Sequence, residues 1–209
     1  MIITDNIVSK SLLAGVVIGF GGYLSLAVDN LILQALLFSV AIISINVFRL
    51  NLFTEKSGFL KDSQDIRRLV LVLLLNLFAV CIFGILAGLA NEPVRQTADL
   101  IVTARVNESI PVVILNSSIT GFLTTVAIES ETNAYSKSHV PLILCAIAFY
   151  TGSCYHSILD AFYYCASSVA VNNIAHSALM LLLTIVFNFI GSILYNVFVS
   201  KSVVNKSVF

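Results

Sequence analysis

Residues 140–170 read VPLILCAIAFYTGSCYHSILDAFYYCASSVA, an apolar stretch interrupted near its centre by Tyr150-Thr151-Gly152-Ser153-Cys154-Tyr155-His156-Ser157. A plain lipid-crossing helix has no use for such an insert, which puts hydroxyls, a glycine and an ionisable ring at mid-span. In hydrocarbon, backbone released from a helix must be satisfied by protein or water, so broken helices belong where they line a cavity. A similar interruption occurs earlier. The apolar stretch 30–53 runs on through Arg49-Leu50-Asn51-Leu52-Phe53-Thr54-Glu55-Lys56-Ser57-Gly58. Each is the second span of a three-span half, and interrupted helices at matching positions mark an inverted three-plus-three repeat with a solute path between the breaks.

The rest of the chain agrees with a membrane setting. Of 209 residues 58% are hydrophobic and only 11% charged, and the mean hydropathy is +0.99. A soluble domain carries about a quarter charged residues, so lipid must be the missing solvent. A window of about 19 residues, the length that crosses roughly 30 Å of hydrocarbon, finds spans near 8–28, 30–53, 67–90, 109–129, 140–170 and 174–200. The connections are short and polar: Asp29-Asn30, Glu55 to Arg68, Asn91 to Glu108, Glu129 to His139 and Val171 to Asn173. The fold class read here is all-α and polytopic, six transmembrane helices in a single transmembrane channel domain over residues 1–209, with no room for a soluble domain. The first apolar segment is followed at once by another, so it is expected to stay in the mature protein rather than be cleaved as a signal peptide.

Basic residues near span ends stay on the cytoplasmic side. With six spans both termini share a side, which collects Lys10, Lys56, Lys61, Arg67, Arg68, Lys137, Lys201 and Lys206, whereas the opposite side has Arg95 and Arg105. Both termini are therefore expected in the cytoplasm, and a bacterial inner (plasma) membrane is the expected location. The net charge is zero, which gives no electrostatic case for nucleic acid. The four cysteines, Cys81, Cys145, Cys154 and Cys165, lie in apolar stretches without CxxC spacing, and read as packed free thiols rather than metal ligands or disulfides. No metal or other cofactor is expected. Gly19-Phe20-Gly21-Gly22 lies within a span and reads as a close-packing stripe, and Phe162-Tyr163-Tyr164 as a packing element.

His156 is the one histidine well inside a span. Ionisable groups at bilayer depth are costly and usually face the bundle interior or a water-filled path, and an imidazole exchanges protons near neutral pH. Asp160, four residues later, shares a helical face with it. Two readings of Asp160 stand: a carboxylate that favours the protonated imidazole and partly cancels its charge, or a structural group bonded to a neighbouring hydroxyl or backbone group. Arg105 either draws anions into an outer vestibule or snorkels to the interface. Arg49, within about a turn of the first break, reads as structural.

The pattern resembles the formate/nitrite transporter family, whose members are pentameric channels with aquaporin-like protomers. The family's Leu-Phe-Thr core in the second helix is found as Leu52-Phe53-Thr54, with Phe38 and Ile42 upstream where the family has constriction residues. Its aromatic, unwound loop and His-Ser-Ile are matched by Phe149 through His156-Ser157-Ile158. Its Gly-Asn-Ile-x-Gly in the last helix is matched in part by Asn188-Phe189-Ile190-Gly191. The resemblance implies that Leu52, with Ile42, and Phe149 form apolar gates on either side of His156, that Thr54 lines the path, and that Arg105 stands in for a vestibule lysine. It also implies a homopentamer with one pore per protomer. The chain departs from the family pattern at Tyr155 and Asp160, where the family has Glu and Asn, at Arg49 and Asn51 before the Leu-Phe-Thr core, and at Gly121 in place of a fourth-span Asn.

The implied function is passage of a small monovalent anion or its conjugate weak acid, of the formate, nitrite and hydrosulfide class, with lactate and acetate also open, and with protonation at or near His156. A channel for a neutral solute such as ammonia, hydrogen sulfide or urea is the alternative. An enzyme using His156 and Asp160 as an acid/base pair has little in its favour, because no nucleophile motif, metal-ligand cluster or nucleotide loop accompanies them.

Overall fold

A computed structural model describes residues 6–60, 62–133 and 138–203. Lys61, Lys137 and Lys206, used above to orient the chain, lie outside the described residues. The described residues form helices and connecting turns, with no strand among them.

Polar residues at span ends start most of the helices. Asn6 caps α1 (Ile7–Leu26), accepting from the Ser9 N–H. Asn30 caps α2 (Leu31–Val47) and Asp62 caps α4 (Ser63–Ala90), each accepting two backbone N–H groups, the usual device for satisfying a helix's free first donors. Between them the chain breaks and resumes as the one-turn α3 (Phe53–Lys56), followed by a 3₁₀ turn, Ser57–Phe59. After α4 come α5 (Glu92–Val106) and α6 (Ile110–Asn133). The second interrupted pair is α7 (Val140–Thr151) and α8 (Ser157–Ala166), and α9 (Ser168–Asn172) leads into α10 (Ile174–Val203). Within α1, α4, α6 and α10 lie stretches long and apolar enough to cross a membrane, while α2 and α7 are shorter apolar helices. Large apolar side chains such as Leu74, Phe78 and Leu89 point outward from α4, as a lipid-facing surface requires.

The structure differs from the sequence reading at 91–108, expected to be a polar connection. Most of it is helix α5, capped by Asn91 with Pro93 in its first turn. It is amphipathic, burying Val94, Ala98 and Val102 at a spacing of four, so it lies against the bundle without the apolar length to span. The fifth span, read as 140–170, is divided into α7 and α8 by the expected break.

The two breaks repeat one construction. α2 ends with Arg49 in the left-handed region (φ 50°) and α7 with Ser153 in the same conformation (φ 50°). In each, the following N–H reaches back five residues: Leu50 N to Ile45 O at 2.9 Å, Cys154 N to Phe149 O at 3.1 Å. This is a helix stop of the kind usually made with glycine, here made with residues that pay about 1–2 kcal/mol for the conformation. An asparagine from a long helix then holds each exposed segment. Asn76 on α4 accepts from the Phe53 N–H (2.8 Å) and donates to the carbonyls of Ser11 (2.7 Å) and Asn51 (3.0 Å). Asn188 on α10 accepts from the Ser157 N–H (2.8 Å) and donates to those of Ser117 and Tyr155 (both 2.8 Å).

Each asparagine thus satisfies three backbone groups that have no water to turn to in hydrocarbon. The approach needs glycine opposite. A Cβ on Gly15 would stand 2.6 Å from the Asn76 carbonyl oxygen, and one on Gly121 1.9 Å from that of Asn188. These contacts pack α1 on α4 and α6 on α10.

Candidate functional site

The breaks place two side chains in contact that are far apart in sequence. His156, at the start of α8, is 2% exposed, and its Nε2 lies 3.0 Å from Oγ1 of the fully buried Thr54, the second residue of α3. Its Nδ1 accepts the N–H of Leu159 at 3.2 Å, so the imidazole caps its own helix. In the neutral ring this leaves the proton on Nε2, which then donates to Thr54. Protonating Nδ1 would require giving up the cap bond. Two aromatic rings flank the imidazole, Phe149 with centroids 5.7 Å apart and Phe38 at 6.0 Å. Both are buried, at 4% and 0% exposure.

A cleft of about 340 Å³ leads to this ring, with Leu31 and Gln34 of α2, Arg105 and Glu108, Phe149, Tyr155 and His156 in its wall. Arg105 is fixed by several contacts. Its guanidinium lies 3.4 Å from the Asp160 carboxylate, stacks 3.6 Å over the Tyr155 ring and donates to the Cys154 carbonyl at 2.9 Å. A guanidinium suits this site because its plane can stack while its edge donates. The Asp160 carboxylate therefore goes to Arg105, and the imidazole takes its bonds from Thr54 and Leu159. Neither carboxylate oxygen of Asp160 has a hydrogen-bond partner among the described residues, so its neighbour is the Arg105 guanidinium rather than a hydroxyl or a backbone group.

Arg105, for which the sequence leaves both a vestibule role and a snorkelling role open, lines the cleft with its charge already paired. Ile42, one turn beyond Phe38 on α2, and Leu52, just before α3, are buried at 4% and 1% exposure and lie outside the cleft wall. Phe53 is buried with its N–H held by Asn76. Among the described residues, then, His156 and Phe149 line the cleft, Thr54 and Phe38 meet the imidazole from outside its wall, and Arg105 in the wall pairs with Asp160 behind it.

Sequence reasoning missed Asn76, the partner of Asn188 in construction. The available signal was a lone amide within an otherwise apolar span. It also assigned Glu55 to a connecting segment, whereas the structure buries it directly after Thr54 at 5% exposure.

A helical bundle with, among the described residues, four helices long and apolar enough to cross a membrane, two interrupted helices whose breaks touch and a cleft ending there is the architecture of an integral membrane protein. The family model for formate/nitrite transporters matches residues 3–202. The chain belongs to that family. Among solved structures it resembles one described as a pentameric formate channel with formate bound, at a TM-score of 0.74 and 18% identity, over 93% of this chain and 94% of that one. Another, described as an FNT family ion channel, superposes at 0.75 and 17% identity over 90% and 86%. No curated protein matches the sequence.

Proposed function

We propose that this protein is a channel for small monovalent anions, or for the weak acids they form on protonation, of the formate, nitrite and hydrosulfide class. The observation that carries the reading is His156, a buried imidazole at the end of an open cleft, flanked by two phenylalanine rings and bonded to a threonine from the opposite break. An ion entering an apolar slot loses hydration at a cost of many kcal/mol, whereas its neutral conjugate acid loses a few. A permeant that gains a proton at or near His156 crosses with the smaller penalty. Thr54 and the Nε2–H replace water as hydrogen-bond partners, and the apolar constrictions are Phe149 with Phe38 on the cleft side and Ile42 with Leu52 and Phe53 beyond. The protomer is read as an aquaporin-like inverted repeat of six spans, assembled as a homopentamer in a bacterial inner membrane with both termini cytoplasmic. The protein is read as a transporter and not an enzyme.

A neutral-solute path is a second reading with one observation in its favour: the pairing of Arg105 with Asp160 leaves the cleft wall without a free cation at that point. Uptake of formate, nitrite, hydrosulfide and a neutral control into proteoliposomes at stepped external pH decides between them. Fast, pH-dependent uptake of one anion that is lost in His156→Phe supports the channel for weak acids. Unchanged flux and pH dependence in a well-folded His156→Phe protein would refute it, and uptake of the neutral control alone would establish the second reading.

A further inference from the structure

The pair formed by Arg105 and Asp160 is an unusual one for a protein interior. Asp160 is 1% exposed, and its Oδ1 stands 3.4 Å from Nη2 of Arg105, beyond the about 2.7–2.9 Å of a charge-assisted hydrogen bond. Among the described residues, neither carboxylate oxygen accepts a hydrogen bond, although both are fully enclosed. The Tyr164 hydroxyl, one helical turn further along α8, is likewise enclosed without a partner. A buried carboxylate is normally hydrogen-bonded as well as paired. Here the guanidinium offsets the charge, and the unmatched oxygens call for an explanation.

The guanidinium connects this carboxylate to the cleft. Arg105 lines the cleft wall and Asp160 does not. Nη2 reaches inward to Asp160 and the Cys154 carbonyl, while Nη1 donates to the Ser153 carbonyl at 3.4 Å on the exposed side. A guanidinium carries more N–H donors than these contacts engage, so an anion in the cleft can bond to it without displacing Asp160. Arg105 is the charged group acting on Asp160. The other titratable side chains around the carboxylate are Tyr163 and Tyr164 on α8, Tyr150 on α7, and Cys154 and Tyr155 in the break. Of the other helices packed on α8, α4 brings Cys81, α1 Tyr23, whose hydroxyl accepts from Asn91, and α10 His176, bonded to the Val106 carbonyl. α3 brings Glu55 and Lys56, beyond Thr54, and Glu108 stands in the cleft wall. Asp99 of α5 is held by Ser167 and Ser168, and His156 by Thr54 and Leu159.

We propose that Arg105 and Asp160 form a coupled binding site that takes up a small monovalent anion together with a proton, the anion on the guanidinium and the proton on the carboxylate. The inference rests on the channel reading above. An anion at Arg105 shares the positive charge that offsets Asp160. An enclosed carboxylate with a shared counter-charge and no hydrogen bond is relieved by a proton. The balance is simple: A⁻ and H⁺ enter, an O–H bond forms on Asp160, none forms on A⁻, and the net charge of the site is unchanged. The new O–H and the Tyr164 hydroxyl are then donor and acceptor one turn apart on a helix face, which answers the unmatched oxygens. Coupling between two ligands is reciprocal. If the anion strengthens the hold on the proton, acid strengthens the hold on the anion by the same factor. The site thereby gathers both components of a weak acid beside the cleft that leads to His156, and release of both restores the ion pair.

Nitrate is the probe for the test, because its conjugate acid is strong and it stays an anion from neutral to mildly acidic pH. Any pH dependence of its binding then belongs to the protein. The full-length protein in detergent is titrated with nitrate by calorimetry at stepped pH, and in lightly buffered solution with a pH dye that counts the protons taken up. Wild type is expected to bind more tightly as pH falls, by up to about tenfold per pH unit, with an uptake approaching about one proton per nitrate. Asp160→Asn, its folding checked by gel filtration, is expected to bind at neutral pH as tightly as wild type does in acid, with no pH dependence and no proton uptake. The double variant Arg105→Gln with Asp160→Asn, which removes both charges, is expected to lose the binding. The wild-type proton count is decisive even where a variant does not fold. No nitrate binding, or binding without proton uptake, refutes the coupled site, and formate uptake into proteoliposomes that still depends on His156 then leaves the channel reading standing. Proton uptake that persists in Asp160→Asn and disappears in His156→Phe puts the proton on the imidazole and also overturns the proposal. Formate flux in His156→Phe equal to wild type removes the channel reading itself, a result separate from the proton count.

Discussion

Replacing Asp160 by Asn removes the buried carboxylate behind the cleft wall and leaves its partner Arg105 in place. At 3.4 Å and an effective dielectric of about 20, the Arg105–Asp160 attraction is about 5 kcal/mol before desolvation is counted. Removing one partner of a buried pair typically costs about 3–5 kcal/mol, because the remaining charge is left uncompensated. Arg105 keeps its stack on Tyr155 and its bond to the Cys154 carbonyl, so the lower end, about 3 kcal/mol, is expected as a loss of thermal stability in detergent. The gain falls on the permeant. An anion in the cleft then meets an unpaired guanidinium that is 13% exposed, and an added attraction of about 1–2 kcal/mol corresponds to a roughly 5–30-fold lower half-saturation concentration. Initial formate uptake measured against external formate, at low and high ionic strength, checks both parts. Half-saturation should fall in Asp160→Asn, and salt should weaken it more than in wild type. A half-saturation concentration and salt response equal to wild type in folded protein would refute the assignment of Arg105 to the permeant's approach.

The two asparagine clamps should differ in consequence. Asn76→Ala and Asn188→Ala each strand one N–H and two carbonyls, and a loss of at least about 2 kcal/mol is expected for each by thermal denaturation; only Asn188 holds the segment that carries His156, so uptake should fall further in Asn188→Ala. Ser153→Gly should raise stability by about 0.5–1 kcal/mol in the same assay, because glycine occupies φ 50° without the side-chain clash. At Asp99 on α5, partial burial acts to raise the carboxyl's pKa, but hydrogen bonds from Ser167, Ser168 and the Val169 N–H outweigh it and hold the carboxyl below its usual range. Folding that depresses a carboxyl's pKa gains stability that is present above the unfolded value and lost as pH falls through the folded one. Exchange at the Ser168 and Val169 amides should therefore gain a pH-dependent local opening in acid that Asp99→Asn lacks.

The two breaks were legible because each places polar residues inside an apolar run, and Leu52-Phe53-Thr54 and His156-Ser157-Ile158 are the places where the helices resume. Helix α5 was not, because hydropathy windows look for spans, and an amphipathic helix averages to a polar stretch. Its signal was positional: Asn91 as a cap, Pro93 in the first turn, and Val94, Ala98 and Val102 on one face. The link between Arg105 and Asp160 joins two helices across 55 sequence positions (160 − 105), and single-sequence periodicity carries no term for it. Glu55 was misplaced for a related reason. Beside Lys56 and Ser57 it looks like the start of a loop, yet the α3 turn continues the broken helix inward and buries it.

The two breaks repeat one backbone with unlike side chains. Ile45, Arg49, Leu50 and Phe53 in the first break correspond at constant offset to Phe149, Ser153, Cys154 and Ser157 in the second, down to the five-residue reach of Leu50 and Cys154 and the asparagine bonds to Phe53 and Ser157. At that offset Leu52 answers to His156. Both occupy the capping position of a half-helix, but Leu52 supplies no side-chain cap while His156 accepts the Leu159 N–H. A structure with the same residue in both places would offer a permeant the same environment from either side. Here one half contributes a cap that donates to Thr54 with a paired guanidinium nearby, and the other contributes an apolar cap followed by Thr54 and a buried carboxyl. The clamps hold the backbone alike in both halves, so the difference between the halves lies in a few substitutable side chains, and exchanging them should alter the site before it alters the fold.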